Sequence, residues 1–422
     1  MRTVYLTGGT GFLGSHFIRN HLSTGEYDVH CFVRGNSDAA CTRRLRQTVL
    51  AANTSYPAKT ALNLDCVTAI PSDITQPQLG LSEERINTER SRSADSTFFH
   101  FASSLCFEEN NKGLIHDHNI NGVKHAVDVA SALRCDVFFY ISTAFTVGIH
   151  EGYVAEQLHR PAAFNNYYEE TKCAAEHLIT GLCDAKGLRL VIVRPSVVIG
   201  PSESCKTGGS KTGLYGLIRE MHRLKRHLKN TPVVADGNLD AAVNLIPVDY
   251  VCHDIFRLFE DAGVQNGLHH ATARDNVKIA LLVELIKRHM GLPNVTVERF
   301  ERFDGKRASA IERLLARTTA FYNSITCTTK HFEKKSGGTW ILGMDEVERY
   351  VIEGVRESES GESHASDHEK IAVPEDRVAL NVSAAGDPPQ DSRDILSGRA
   401  NVERLPSITR AVCDAGHEIG NP

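Results

Sequence analysis

Through about residue 275 the chain alternates short apolar runs with longer stretches of helical periodicity. Thr3–Thr7, Val29–Val33, Asp65–Ile70, Ser96–His100, Val137–Ser142 and Arg189–Val193 are continuous β-branched or aromatic runs bounded by polar or turn residues. That pattern predicts strands covered on both faces. Phe12–Leu22, Asn121–Leu133 and Tyr168–Cys183 lie between them and predict helices. The alternation predicts an α/β fold, a Rossmann-type doubly wound parallel sheet with a smaller C-terminal lobe.

The pattern changes at Pro201. Ser202–Gly213 is rich in Ser, Thr, Gly and Lys and predicts a flexible loop. A basic amphipathic helix is expected over Leu214–Lys229, a strand at Val233–Val234, and helices at Lys278–Met290 and Ala308–Phe321. From Glu357 onward Ser, Glu, Asp, Gly and Ala dominate, too little apolar surface to offset the entropy of ordering. The expected organisation is a core over residues 1–200 and a lobe over 201–356, with 231–275 returning to the core. A polar, largely disordered tail over 357–422 completes it.

Composition narrows the classes without naming one. The 422 residues are 41% hydrophobic and 23% charged, which excludes a wholly disordered or fibrous chain. The net charge of −5 gives no basic excess for a nucleic-acid partner. The 11 cysteines form no C-x-x-C pair. This points to buried thiols in a reducing, cytoplasmic setting. Arg2–Leu6 leads straight into a glycine loop with no signal-peptide core, and the apolar stretch Leu188–Gly200 is broken by Arg194 and Pro195, so no transmembrane segment is expected. The 20 histidines include no H-E-x-x-H, and no metal is expected.

Chemistry first appears at Thr7-Gly8-Gly9-Thr10-Gly11-Phe12-Leu13-Gly14, between the first strand and the first helix. Glycines there permit a tight turn, close approach of a pyrophosphate and tight packing of helix on sheet. This predicts a dinucleotide site built from Gly8, Thr10, Gly11, Phe12, Leu13 and Gly14. The second strand ends in Arg34, with Arg43 and Arg44 soon after, whereas Asp28 lies at its opposite end. A cation rather than an acid at that end favours the 2′-phosphate, hence NADP(H) over NAD(H). Asp73-Ile74 after the third strand is placed to meet the adenine. Ala102-Ser103 after the fourth is small enough to pass close to the ribose and nicotinamide.

Tyr168-Glu169-Glu170-Thr171-Lys172 is Y-x-x-x-K, which on a helix puts phenol and ammonium on one face. A neighbouring cation favours phenolate, so the pair predicts a phenol made more acidic by Lys172. The motif alone is not specific. Tyr140-Ile141-Ser142-Thr143-Ala144 adds hydroxyls at the end of the fifth strand, the edge at which open parallel sheets bind ligands.

Together these motifs make residues 1–275 resemble the extended short-chain dehydrogenase/reductases, with a weaker likeness over 276–355. The resemblance implies a catalytic set of Thr143, Tyr168 and Lys172, with Thr143 preferred to Ser142 because it precedes Gly148 by five residues. Asn119 matches the helix asparagine of that superfamily's proton relay, and Lys172 would also hold the cofactor's ribose hydroxyls. Pro195, Ser196 and Val198, within Arg194–Pro201, match the segment beside the nicotinamide, and Pro247–Val251 a later structural motif. The segment Asp73–Leu81, the insertion Gly35–Leu64 and Ser142–Phe145 resemble the male-sterility or thioester-reductase branch. That branch includes fatty acyl-CoA reductases and terminal reductase domains of carboxylic acid reductases and peptide synthetases. Cys106–Glu108 and Thr146-Val147 depart from its pattern.

The expected activity is NADPH-dependent hydride transfer to an acyl thioester carried by coenzyme A or a carrier protein, giving aldehyde, or alcohol where a second hydride follows; the sequence leaves two- and four-electron reduction open. Arg219, Arg223, Lys225, Arg226 and Lys229 on the basic helix offer either a phosphate-binding surface or a solvated face. A ketone or aldehyde reductase acting on a free small carbonyl compound would use the same residues. A nucleotide-sugar epimerase or dehydratase, or a non-catalytic NADP sensor, fits less well.

Overall fold

The computed structural model describes residues 1–58, 61–92, 95–105, 111–228, 232–261, 266–298 and 327–360. Seven strands form one sheet: β1 (Arg2–Thr7), β2 (Tyr27–Arg34), β3 (Val67–Ser72), β4 (Ser96–His100), β5 (Val137–Ile141), β6 (Arg189–Pro195) and β7 (Gly267–Ala271). Their order is β7-β6-β5-β4-β1-β2-β3. Every neighbouring pair is parallel, so all C-terminal ends lie on one edge. The order reverses at β1, where a crevice for ligands is expected.

Helices follow as α1 (Phe12–Phe17), α2 (Asp38–Thr54), α3 (Gly122–Ala132), α4 (Tyr167–Lys186), α5 (Gly213–Leu228), α6 (Val248–Glu260), α7 (Ile279–Met290) and α8 (Met344–Ser360). The first continues as a wider turn over Ile18–Leu22. Alternation along the strands sends Val4, Leu6, Phe99 and Phe139 toward the α1, α2 and α6 layer. Tyr5, Phe98 and Phe138 face α3 and α4. Rings stack between strands on each face, Phe99–Phe139 at 4.6 Å and Phe98–Phe138 at 5.4 Å between centroids. These aromatic rungs explain why the expected strands hold their register.

The seventh strand was not legible as one. Gly267-Leu268-His269-His270-Ala271 is polar by composition, yet it pairs with β6. His270 is buried there with partners distant in sequence: its main-chain N donates to Glu156 Oε1 at 2.7 Å, and Nδ1 lies 2.7 Å from the Glu333 carbonyl.

A second apolar cluster unites α5, α7 and α8 with the parallel strand pair Val197–Ile199 and Leu245–Pro247. Helix α8 corrects the expected boundary at Glu357. Val347, Tyr350, Val351, Gly354 and Val355 form a buried stripe at three- and four-residue spacing, and the helix runs on to Ser360. A Cβ on Gly354 would stand 2.9 Å from Ile218 Cδ1, so the glycine lets α8 close on α5. The expected helix at Ala308–Phe321 and the rest of the expected tail lie outside the described residues.

Ser202–Gly213 is also not the free loop its composition suggests. Ser202 Oγ donates to Asp249 Oδ2 at 2.6 Å, and Thr207 donates to Glu357 through N at 3.0 Å and through Oγ1 at 2.5 Å. His16 Nε2 lies 3.0 Å from the Gly208 carbonyl, which brings the loop against α1. No helix among the described residues is long and apolar enough to cross a membrane.

Candidate active site

The glycine loop closes as the motif requires. Gly8 has a φ of +75°, and Gly11 N donates to the Gly8 carbonyl at 2.9 Å. A Cβ on Gly8 would stand 2.6 Å from Ala102 N, and one on Gly14 would stand 2.3 Å from Gly8 O. Side chains are therefore excluded at Gly8 and Gly14, where the turn before α1 is lined by main chain. A pyrophosphate fits such a cradle. Thr10, Phe12 and Leu13 lie within the same turn and first helical residues.

The remaining expected cofactor positions gather on the same edge because their strands are parallel and end together. Arg34 terminates β2, and Arg44 Nη1 donates to the Arg34 carbonyl at 3.0 Å, so two guanidinium-bearing residues meet there. Asp28 lies at the strand's other end, 3.0 Å from His30 Nε2. After β4, Ala102 N donates to Thr7 Oγ1 at 3.4 Å, with Ser103 next in the same turn. Thr7 Oγ1 also meets His100 Nδ1 at 2.9 Å. Thr7 was missed in the sequence; its place as the last residue before the glycines was the available signal.

Three of the other expected positions also make local contacts. The Asp73 carboxylate accepts from Thr75 N and Oγ1 at 2.9 and 2.8 Å, while Ile74 packs against Gly122. Ser196 Oγ donates to Asn244 Oδ1 at 2.7 Å, which ties the end of β6 to the second lobe. Pro195 is buried, and Val198 lies half-buried in the strand paired with Leu245–Pro247.

The hydroxyl pair does come together. Thr143 caps the turn Ala144–Val147, accepting from Phe145 N at 3.4 Å, and its hydroxyl faces the Tyr168 phenol. Both are buried. Helix α4 starts where it must for this: Asn166 accepts from Glu169 N at 2.9 Å, and Glu169 Oε2 accepts from Asn165 N at 3.1 Å. Those are the contacts of an N-terminal cap with its acidic partner three residues on.

Lys172 sits beneath, with Nζ donating to the Ile141 carbonyl at 2.7 Å and 4.2 Å from the centroid of the Tyr140 ring. The expected acidification of Tyr168 by Lys172 is not what this arrangement gives. Burial pushes the phenol up, Glu169 pushes it further, and the Thr143 hydroxyl opposes both. Burial also pushes Lys172 down to about 7, with Glu176 pulling the other way. With its Nζ turned to the Ile141 carbonyl, Lys172 is not among the groups that shift the phenol. His100 is pushed down to about 3 by burial, with Lys172 adding to it, and is neutral.

Asn119 occupies the turn before α3, but its side chain works as a clamp. Oδ1 accepts from Ser104 N at 2.8 Å, and Nδ2 donates to Thr171 Oγ1 at 3.1 Å. Glu176 was overlooked in the sequence although it lies one further turn along the Tyr168–Lys172 face. It forms a fully buried pair with Arg194, Nε to Oε1 at 2.9 Å and Nη2 to Oε2 at 2.5 Å.

On the basic helix, Arg223 pairs with Glu220 at 3.1 Å and Lys225 with Glu359 at 2.7 Å. Arg219 donates to the Lys211 carbonyl. Lys229 lies outside the described residues, as do Cys106–Glu108. Trp340 is a packing residue, stacked on Tyr250 with centroids 4.1 Å apart. Among the described residues no three His, Cys, Asp or Glu side chains gather as metal ligands would.

Comparison with known proteins adds a family. The model of the male sterility protein family matches residues 6–255. The nonribosomal peptide synthetase asaC of Aspergillus flavus is 29% identical over 212 residues, covering 47% of this chain and 20% of that protein. A putative fatty acyl-CoA reductase of Drosophila melanogaster, CG8303, is 24% identical over 286 residues, covering 59% and 50%. The chain thus spans half or less of these relatives' length. In fold it is similar to the terminal R domain from the myxalamid PKS-NRPS biosynthetic pathway. The TM-score is 0.66 at 21% identity, over 84% of this chain and 91% of that one.

Proposed function

The chain belongs to the male sterility protein family of extended short-chain dehydrogenase/reductase-type, NAD(P)-dependent oxidoreductases, and from that premise we propose that it uses NADPH to reduce an acyl thioester on coenzyme A or a carrier protein. The observation that carries this reading is the Thr143 hydroxyl set against the Tyr168 phenol, both buried at the C-terminal edge of the sheet that also bears the glycine cradle. The relatives named as a peptide synthetase and an acyl-CoA reductase support the thioester as substrate class. Arg34 and Arg44 at the end of β2 support the phosphorylated cofactor.

When bound, NADPH supplies the hydride. The residues of this chain do the rest. Thr143 and Tyr168 hold the carbonyl oxygen between two hydroxyls, so charge developing on it meets two donors already oriented. Burial keeps the Tyr168 proton in place at neutral pH. An alkoxide is far more basic than a phenol, so a protonated Tyr168 is poised as the acid for a reductive direction. Lys172 is placed by the Ile141 carbonyl beside that pair, and Gly8, Gly11 and Gly14 hold the pyrophosphate. From a thioester the first product is a hemithioacetal, which collapses to aldehyde and thiol. Where a second NADPH replaces the spent cofactor, its hydride would carry the aldehyde to alcohol.

Incubation with NADPH and a panel of acyl thioesters, aldehydes and ketones, with product identification, tests the substrate class. Loss of nicotinamide absorbance with acyl thioesters is expected. Turnover of free ketones alone overturns the thioester reading in favour of a small-molecule carbonyl reductase. Arg34→Asp is expected to weaken NADPH far more than NADH, and equal weakening overturns the cofactor preference.

A further inference from the structure

Neither the Y-x-x-x-K motif nor the hydroxyls after β5 call attention to the ring of Tyr140, yet Lys172 lies over it. Tyr140 stands one residue before Ile141 on β5 and packs with Tyr5, Phe98 and Phe138 on the side of α3 and α4. Lys172 reaches down from α4 to meet it. Nζ lies 4.2 Å from the ring centroid and donates to the Ile141 carbonyl at 2.7 Å. Both residues are 1% exposed.

The two ends of the Tyr140 side chain are used differently. Its hydroxyl oxygen is buried with no hydrogen-bond partner among the described residues. A buried phenol ordinarily finds one, so hydrogen bonding does not explain a tyrosine here. The ring is engaged on its face by the ammonium, and the His100 ring stacks beside it at 6.0 Å between centroids. An ammonium removed from water needs compensation. One carbonyl and one aromatic face supply it close to Nζ, while Glu176, one turn along α4, is bound at both oxygens by Arg194 at 2.9 and 2.5 Å. The negative face of an aromatic ring attracts a cation within about 6 Å of its centroid, most strongly where water is excluded.

We propose that Tyr140 is a positioning residue for Lys172: the face of its ring, not its hydroxyl, holds that side chain as an ammonium beside the Ile141 carbonyl. The inference rests on Lys172 belonging to the site that reduces the carbonyl, as read above. Burial pushes Lys172 down to about 7, so a modest loss of support leaves the amine neutral at physiological pH. Burial also pushes His100 down to about 3, Cys173 up to about 12, and the Tyr140 and Tyr168 phenols up. Those four neighbours therefore stay uncharged while Lys172 titrates. Glu176, paired with Arg194, is the remaining charge facing it.

The test replaces Tyr140 in the full chain by phenylalanine and by its 4-fluoro, 3,5-difluoro and 3,4,5-trifluoro forms, introduced by nonsense suppression. Fluorine drains negative charge from the ring face and changes its shape little. Lysine labelled with carbon-13 at Cε reports the titration of Lys172, assigned by the resonance missing from Lys172→Met. Circular dichroism and thermal unfolding establish that each form is folded. Tyr140→Phe is expected to hold the midpoint within about 0.3 pH unit, and fluorination to lower it stepwise by about one unit in all. With octanoyl-CoA and saturating NADPH, kcat at pH 7.5 is expected to fall in the same order. A midpoint that stays put across the series, or that moves in Tyr140→Phe and no further with fluorine, overturns the proposal. An inactive Lys172→Met beside a fixed midpoint sinks this inference alone, whereas unaltered reduction by Lys172→Met sinks the reading it rests on.

Discussion

Lys172 Nζ donates to the main-chain carbonyl of Ile141 at 2.7 Å, so the lysine of the Y-x-x-x-K motif is held by the end of β5 rather than by its tyrosine. The same strand delivers Thr143 two residues later. Strand end, hydroxyl and ammonium are therefore one rigid unit, and α4 brings the phenol to it.

That geometry makes Lys172 a residue whose removal disturbs both charge and the floor of the site. Lys172→Met is expected to lower kcat for NADPH-dependent reduction by about 10²–10⁴-fold. Steady-state kinetics check this, and a change below threefold contradicts it.

The glycine cradle predicts a contrast between two substitutions of the same kind. Gly14→Ala puts a methyl 2.3 Å from Gly8 O, so it should cost about 1–3 kcal/mol of stability and abolish NADPH binding. Gly181→Ala, in α4 with nothing within 4 Å of the new methyl, should stabilise by about 0.5–1 kcal/mol and leave binding intact. Urea unfolding and fluorescence titration separate them.

His30 gives a pH dependence with a defined sign. Burial disfavours its imidazolium, but Glu89 at 2.9 Å and Asp28 at 3.0 Å overcome that and raise its proton affinity. A raised folded value means this contribution is fully present below the unfolded value of about 6.5 and is lost as pH rises through the folded one. His30→Gln should therefore be more destabilising near pH 5.5 than near pH 9 in urea unfolding. Equal differences at the two pH values contradict the argument.

Glu357 is expected to hold Ser202–Gly213 in place through its two bonds from Thr207. Glu357→Ala should lower the opening free energy of that loop by about 1–3 kcal/mol, seen as faster hydrogen exchange at Gly209 and Ser210. Unchanged exchange contradicts the latch.

Much of the fold was legible because buried parallel strands carry their signal in continuous apolar runs, as Val4–Leu6 and Phe98–Phe99 do. What escaped depended on partners distant in sequence. His270 lies in a strand with its main-chain N held by Glu156 and its Nδ1 by the Glu333 carbonyl, and Glu357 near the end of a helix meets Thr207. At the candidate site the motif spacings placed the glycine loop, Thr143, Tyr168 and Lys172 near one another. They could not reveal which polar groups were already engaged, as Ser196 is with Asn244 and Asn119 with Thr171. Nor could spacing alone give the burial that reverses the expected effect on the Tyr168 phenol.

The most direct measurement of the central claim is the single-turnover rate of NADPH oxidation by octanoyl-CoA in Tyr168→Phe, with NADPH affinity determined on the same preparation. The rate is expected to fall at least 10²-fold below that of the unsubstituted protein, with affinity unchanged. Reduction at the original rate by a variant lacking the phenolic hydroxyl would contradict it.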